Sequence, residues 1–374
     1  MKLRKMAVAM SAVMALGAIA VPAAAEEGTQ KVGISMPTQS LERWNRDGSW
    51  LDEKMQEAGY ETILTYSDND SSQQVNDIQN MLADGVDILI ISAIDGEALN
   101  TVMDEAAEAG VPVVAYDRLI MNDAVSCYVS FDNYTVGQLQ GEYIVEALDL
   151  ENAGDATYNL EITAGDPADN NAGYFYNGAM DVLNPYIEAG TLVVVSGQTD
   201  FDTVATDQWD TQTAMERAQN ILASYYADGT QLDVWLCSND STALGVAQGI
   251  TSDYAGDNTV IITGQDGDEA NLANIKDGIQ TMTVYKNVND ECTFTLEIAQ
   301  AILAGEELTE ALCESSEIEA AYDTESYETS EGNACISYLL VPTVITADNL
   351  DYLVEAGLYA ENDEGYLVSV DSVE

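Results

Sequence analysis

The chain has 374 residues, with 66 Asp and Glu against 11 Lys and Arg, no His, and a formal charge of −55. That balance excludes a nucleic-acid partner, which needs clustered Lys and Arg, and the lack of imidazole excludes a Ser-His-Asp triad, His-ligated zinc and His proton shuttles. A hydrophobic fraction of 47% belongs to a folded protein, and the length suits two cores better than one.

The first 25 residues read as an export signal. Lys2, Arg4 and Lys5 are a basic start, Met6 to Val21 is an uncharged apolar run, and Ala23-Ala24-Ala25 offers a small-residue cleavage site. The alternative is an uncleaved anchor, although the run is marginal for spanning a bilayer. The first cysteine is Cys127, so the signal lacks a lipid-attachment cysteine. The mature protein is expected outside the cytoplasm, most simply in a periplasm. Eight cations remain there: Lys31, Arg43, Arg46, Lys54, Arg118, Arg217, Lys276 and Lys286. Against 66 acids, each is a candidate for specific work as well as for local charge balance on a helix face.

The pattern then alternates apolar β-branched runs with amphipathic stretches. Val32 to Met36 predicts a strand, Glu42 to Ala58 a helix ended by Gly59, Glu61 to Tyr66 a strand, Ser71 to Ala83 a helix and Asp87 to Ser92 a strand. Glu97 to Ala109 predicts a helix stopped by Gly110, and Val113 to Tyr116 and Val125 to Phe131 predict strands. Runs such as Ile88-Leu89-Ile90-Ile91 suit a parallel sheet covered on both faces.

The alternation then restarts. Helices are expected over Tyr134 to Leu148, Asn171 to Leu183, Ala205 to Tyr226, Thr242 to Ser252, Glu269 to Asp277 and Asp290 to Ala304. Strands are expected over Tyr158 to Ile162, Leu192 to Val195, Val234 to Cys237, Val260 to Thr263 and Thr281 to Tyr285. An acidic stretch from Glu307 to Gly332 reads as a surface excursion, followed by a strand from Ile336 to Val341 and a last helix from Asp348 to Gly357. The fold class is α/β: two similar doubly wound parallel-sheet lobes with a cleft between them. The first lobe is expected over residues 31–133 plus about 287–310, the second over 134–286 plus about 311–374.

Open α/β sheets bind ligands beyond the carboxyl ends of their strands. The first lobe places Arg43, Trp44, Asp117 and Arg118 there, and the second Asp169, Asn171, Trp209, Asn239, Asp266 and Lys286. Carboxylates accept from hydroxyls, Arg and Lys donate to them, Asn does both, and a Trp face covers the C–H surface of a pyranose. Strand-end Asp and Asn also serve as helix caps, and Trp also fills cores. Three of the eight cations nevertheless fall at strand ends, across both lobes.

Several ordered motifs carry a resemblance: Leu41-Glu42-Arg43-Trp44, Ala115-Tyr116-Asp117-Arg118, Ser130-Phe131-Asp132-Asn133, Asp169-Asn170-Asn171, Thr263-Gly264-Gln265-Asp266, Thr281 to Lys286, and Ser337-Tyr338-Leu339-Leu340. Over essentially the whole mature length the chain resembles the periplasmic sugar-binding proteins of ABC importers, the type I periplasmic binding proteins, of the xylose-binding and multiple-sugar-receptor kind. The resemblance implies that Arg43, Asp117, Arg118, Asp169, Asn171, Asn239, Asp266 and Lys286 hydrogen-bond a monosaccharide while Trp44 and Trp209 sandwich its ring. It implies no cofactor and no metal, a monomer, and as partners a membrane permease with its ATPase. It also implies a three-stranded hinge near Asp132 to Tyr134, Tyr285 to Val288 and Gly305 to Leu312. Glucose, galactose, arabinose and xylose are all compatible.

A sugar sensor with the same fold is an alternative function. A secreted glycosidase is a weaker one, because Asp117 and Asp266 lie beside cations that lower a carboxyl pKa, the wrong direction for a general acid. Cys127 and Cys237 read as buried thiols. Cys313 and Cys335 flank the excursion and either form a disulfide or remain thiols, with Cys292 left over. Asp68-Asn69-Asp70 and Asp266-Gly267-Asp268 lack the spacing of a calcium loop and read as turns.

Overall fold

The computed structural model describes residues 29–370, so the expected signal segment lies outside the described residues. In the first lobe, β1 (Lys31–Met36), α1 (Glu42–Glu57), β2 (Glu61–Tyr66), α2 (Ser71–Ala83), β3 (Ile88–Ile91), α3 (Asn100–Ala109), β4 (Val113–Tyr116) and β5 (Cys127–Phe131) follow the expected alternation. β3, β4 and β5 are buried at every residue, as a sheet covered on both faces requires. Asp70 caps α2 by accepting from Ser72 and Gln73 N–H, and Gly110 stops α3 with φ +72°, a left-handed conformation that glycine adopts without steric cost.

The second lobe begins with α4 (Asn133–Ala147), β6 (Tyr158–Thr163), α5 (Asn170–Glu188), β7 (Leu192–Val194) and α6 (Phe201–Val204). It continues with α7 (Thr211–Ile221), β8 (Val234–Cys237), α8 (Asp240–Asp253), β9 (Ile261–Ile262), α9 (Glu269–Lys276) and β10 (Met282–Tyr285). After it come α10 (Val288–Ala304), α11 (Ala311–Ser315), β11 (Ala320–Asp323), β12 (Ser337–Leu340), β13 (Thr343–Thr346), α12 (Asp351–Glu355), β14 (Tyr359–Glu361) and β15 (Leu367–Ser369).

The first sheet runs β11-β12-β5-β4-β3-β1-β2, parallel except for β11. The second runs β7-β6-β8-β9, and a parallel bridge from Gln265 to Val284 leads on to the antiparallel pair β10 and β13. Val288, Cys292, Phe294 and Ile298 of α10 pack with Trp44, Leu51 and Met55 of α1, which places α10 in the first lobe.

Three expectations are corrected. Residues 311–340 do not join the second lobe: β12 pairs with β5, and β11 with β12, extending the first sheet. The third crossing therefore lies between Leu340 and Thr343 rather than near Gly305 to Leu312, while the other two fall at Asp132 and at Lys286-Asn287. The helix expected over Ala205 to Tyr226 starts only at Thr211, because Gln208 and Trp209 take positive φ (56° and 55°) in a short turn before it. Of the two alternatives left open for Cys313 and Cys335, the structure has free thiols. They pack into different apolar clusters, Cys313 against the one that holds α1 and α10 and Cys335 in the one that holds α3.

Candidate functional site

The loop after β1 delivers Arg43 and Trp44 on the first turn of α1, with Leu41 just before it. Arg43 is a hub. Its Nε donates to Asp47 Oδ2 at 2.6 Å, Nη1 to Asp266 Oδ1 at 3.1 Å, and Nη2 to Asp117 Oδ2 at 2.9 Å and Glu291 Oε2 at 2.7 Å. Its bond to Asp266 crosses between the lobes.

Asp117 follows β4 with φ 57°, a left-handed backbone that costs a non-glycine residue roughly 1 kcal/mol or more and persists only where its surroundings hold it. Those surroundings are plain. Its carbonyl lies 2.6 Å from the Tyr128 hydroxyl, and it accepts from Ser130 Oγ at 3.0 Å and Asn171 Nδ2 at 2.6 Å. Its carboxylate receives Lys286 Nζ at 2.9 Å. Arg118, next in the chain, donates to the Ala93 carbonyl and places Nε 3.2 Å from Asp169 Oδ2, a second pair across the lobes.

On the second lobe, Asp169 and Asn239 cap α5 and α8, so the same residues that start helices also face the cleft. Asp266 has φ 106°. It is set by Asp240, whose Oδ2 accepts from Gly267 and Asp268 N–H at 2.9 Å each and from Thr283 Oγ1 at 3.1 Å, while Oδ1 accepts from Gln280 Nε2 at 3.0 Å. The ring of Trp209 lies over Gly165, where any Cβ would collide with it, and meets Phe175 edge-on at 6.2 Å. Trp44 presents its face to both guanidinium groups, 5.4 Å from Arg43 and 4.8 Å from Arg118.

Nine of the ten expected residues, Arg43, Trp44, Asp117, Arg118, Asp169, Trp209, Asn239, Asp266 and Lys286, line one narrow cavity between the lobes. Asn171 does not line it. Its side chain is 1% exposed and spans the Asp117 carbonyl and the Tyr128 hydroxyl. Leu41, Phe175, Ser241 and Gln265, not among the expected sugar contacts, also line the cavity. Phe175 was within reach, since it lies four residues after Asn171 and so on the same helix face.

Arg43, Asp117, Arg118 and Lys286 are each at most 4% exposed, so charge is decided by neighbours. Burial pushes the Asp117 carboxyl up, but Lys286 and then Arg43 pull it down to about 2, and it is ionised. Glu291 is raised although it touches Arg43, because burial and the charge of Asp117 outweigh one guanidinium shared among four carboxylates. Asp169 is raised by burial against the pull of Arg118. Asp240 meets no cation among the described residues and is pushed up to about 8 by burial and by the charge of Asp266.

Two doubly wound lobes, joined by three crossings and turning polar strand ends toward one cleft, make up the architecture of a two-lobed solute receptor. The chain belongs to the periplasmic binding protein family: residues 32–307 match the periplasmic binding protein domain. The multiple sugar-binding periplasmic receptor ChvE of Rhizobium radiobacter is 38% identical over 365 residues, covering 95% of this chain and 98% of the relative. The D-xylose-binding periplasmic protein of Escherichia coli is 34% identical over 277 residues, 74% of this chain and 79% of that one. Among solved structures, an ABC transporter solute-binding protein from Clostridium phytofermentans with bound β-D-glucose is 47% identical with a TM-score of 0.83, covering 89% of this chain and 99% of that one.

Proposed function

We propose that the chain captures a neutral aldopyranose between its lobes outside the cytoplasm and delivers it, unaltered, to an ABC importer. The observation that carries this reading is the charge balance of the cavity wall. Arg43, Arg118 and Lys286 stand against Asp117, Asp169 and Asp266, in a chain that is otherwise overwhelmingly acidic. A wall of equal and paired charges offers donors and acceptors to hydroxyls without favouring a net charge on the ligand.

In this reading the sugar hydroxyls enter between the cross-lobe partners, accepting from Arg118 and Lys286 and donating to Asp117, Asp169 and Asp266. Asn239 serves both directions, and Trp44 and Trp209 take the ring faces. A ligand held by both lobes binds the closed form better than the open one and so shifts the population toward it. The closed form then docks on a permease coupled to an ATPase. An ionised Asp117 fits a hydrogen-bond acceptor and not a general acid. The names of the relatives, sugar-binding receptors and solute-binding proteins, support the same reading.

The test is a thermal-shift screen of residues 26–374 against aldoses, with a sugar acid and an amino acid as controls. A sugar at 100 times its dissociation constant is expected to stabilise by roughly 2.7 kcal/mol and to be recovered unchanged. Arg118→Ala, which removes a cleft donor and unpairs Asp169, is expected to abolish the shift while the circular dichroism spectrum stays the same. A shift retained in that variant overturns the site, and a shift given only by the sugar acid or the amino acid overturns the ligand class.

A further inference from the structure

Tyr327 lies in the acidic stretch that carried no function in the sequence, yet it is 1% exposed. The segment folds back as a small hairpin between β11 and β12, with Cys335 N–H donating to the Tyr327 carbonyl and Thr329 N–H to the Asn333 carbonyl. It is fastened to the first lobe by Asp123, which accepts from Thr329 and Asn333, and by Ser330, which donates to the Met121 carbonyl.

Three groups, drawn from both lobes, surround the Tyr327 ring and hydroxyl. Tyr128 of the first sheet packs edge-on at 5.1 Å between ring centroids, and Tyr174 of α5, in the second lobe, packs at 4.9 Å. The hydroxyl accepts from Asn133 N–H at 3.1 Å, at the start of α4 beside the crossing at Asp132. Asn133 Nδ2 in turn donates to the Tyr128 hydroxyl at 2.8 Å, and that hydroxyl meets the Asp117 carbonyl and Asn171 Oδ1. A continuous chain of contacts thus runs from the excursion through the hinge to the cavity wall. Tyr174 is a second-lobe side chain packed against a first-lobe apolar cluster, and it precedes the cavity residue Phe175. Tyr174 and Tyr327 thus meet from opposite lobes, whereas Tyr128 and Tyr327 both belong to the first.

We infer that Tyr327 is a hinge pin: a positioning residue whose contact with Tyr174 is made on closure and sets how much of the protein is closed, and through that the affinity for sugar. The inference deepens the sugar-capture reading and rests on it. A residue that acts through closure scales the apparent dissociation constant by the closed fraction, whatever the ligand. A residue that touches the sugar changes affinities unequally.

The test uses Tyr174→Ala, which leaves the buried Tyr327 in place, with Tyr174→Phe as the conservative control. Dissociation constants are measured by calorimetry for D-glucose, D-galactose, D-xylose and L-arabinose, and the closed fraction without sugar by single-molecule energy transfer between one dye on each lobe. Loss of one aromatic pair is expected to weaken every sugar the native protein binds by a common factor of about 2 to 10 and to lower the closed fraction by the same factor, with Tyr174→Phe restoring both. An unchanged closed fraction, or a loss confined to some of the sugars, overturns the inference. If the native protein binds none of the four, the sugar reading fails, and the closed fraction alone decides the hinge.

Discussion

Arg43 shows how one side chain can serve both fold and site. Its guanidinium meets Asp47, Asp117, Asp266 and Glu291 in a nearly buried cluster, so its removal leaves several carboxylates uncompensated rather than losing one bond. Breaking such a buried cluster costs about 3–5 kcal/mol. Arg43→Ala is therefore expected to lower the urea midpoint sharply as well as to abolish sugar binding, and a variant as stable as the native protein would contradict the hub. Gly165 makes a steric counterpart. A methyl group there meets the Trp209 ring, so Gly165→Ala is expected to cost about 1–3 kcal/mol by overpacking and to lose the sugar-dependent thermal shift because the indole is displaced.

At the scale of elements, the second lobe ties its strand-end loops together through the start of α8. Asp240 accepts from the loop after β9 and from Thr283 of β10, its N–H donates to the Gln265 carbonyl, and its own carbonyl accepts from Asn271 of α9. Asp240→Ala leaves the Gly267 and Asp268 N–H groups without their acceptor, at about 1–3 kcal/mol for each buried group, and frees Asp266 to leave its φ of 106°. Sugar affinity and unfolding midpoint are expected to fall together. An affinity unchanged in the face of lost stability would separate Asp240 from the site. The first lobe is joined to this region from outside the cavity as well: Glu42 accepts from Glu269 N–H, and Arg46 donates to the Tyr359 hydroxyl, which donates to the Gly267 carbonyl. Helix α1 thus grips the second lobe on the face that carries Arg43 and on the neighbouring one.

For the whole molecule, buried carboxylates set the response to pH. Burial raises Asp47, Asp169, Asp240, Asp268 and Glu291 above their ordinary values, Asp240 to about 8. A raised carboxyl keeps its proton in the folded state at a pH where the unfolded chain has lost it, so stability falls as pH rises between the ordinary value near 3.8 and the folded one. Asp117, lowered to about 2, acts in the opposite sense, but only as pH falls below its ordinary value. The urea midpoint is expected to be higher at about pH 5 than at about pH 8, and a flat or rising profile would contradict the raised carboxylates. Added salt acts in a second way. The exposed surface is acidic nearly throughout, because Arg43, Arg118 and Lys286 are buried in the cleft, so screening by sodium chloride is expected to raise the melting temperature.

The alternation of apolar runs and amphipathic helices determined the two doubly wound lobes, since 2.0 and 3.6 residue periods are local properties of the chain. The scarcity of cations and their fall at strand ends likewise made Arg43, Arg118 and Lys286 legible in the sequence. The lobe to which residues 311–340 belong was not legible: the pairing of Ser337–Leu340 with Tyr128–Phe131 joins segments some 200 residues apart, and nothing local to either names its partner. The same reason hid the turn at Gln208 and Trp209. Its positive φ is imposed by neighbours in space, with the Gly165 carbonyl held by Thr206 N–H and Asp166 accepting from Gln208 N–H, where local preference continues the helix. Asn171 and Phe175 stand one turn apart on the same face of α5, and only the packing of the lobes decided that Asn171 meets the Asp117 carbonyl while Phe175 meets the cavity. The sequence by itself determined the periodic elements and the chemistry of the strand ends. Tertiary structure decided register, sheet membership and the hinge contact of Tyr327, because those depend on contacts between residues distant in the chain.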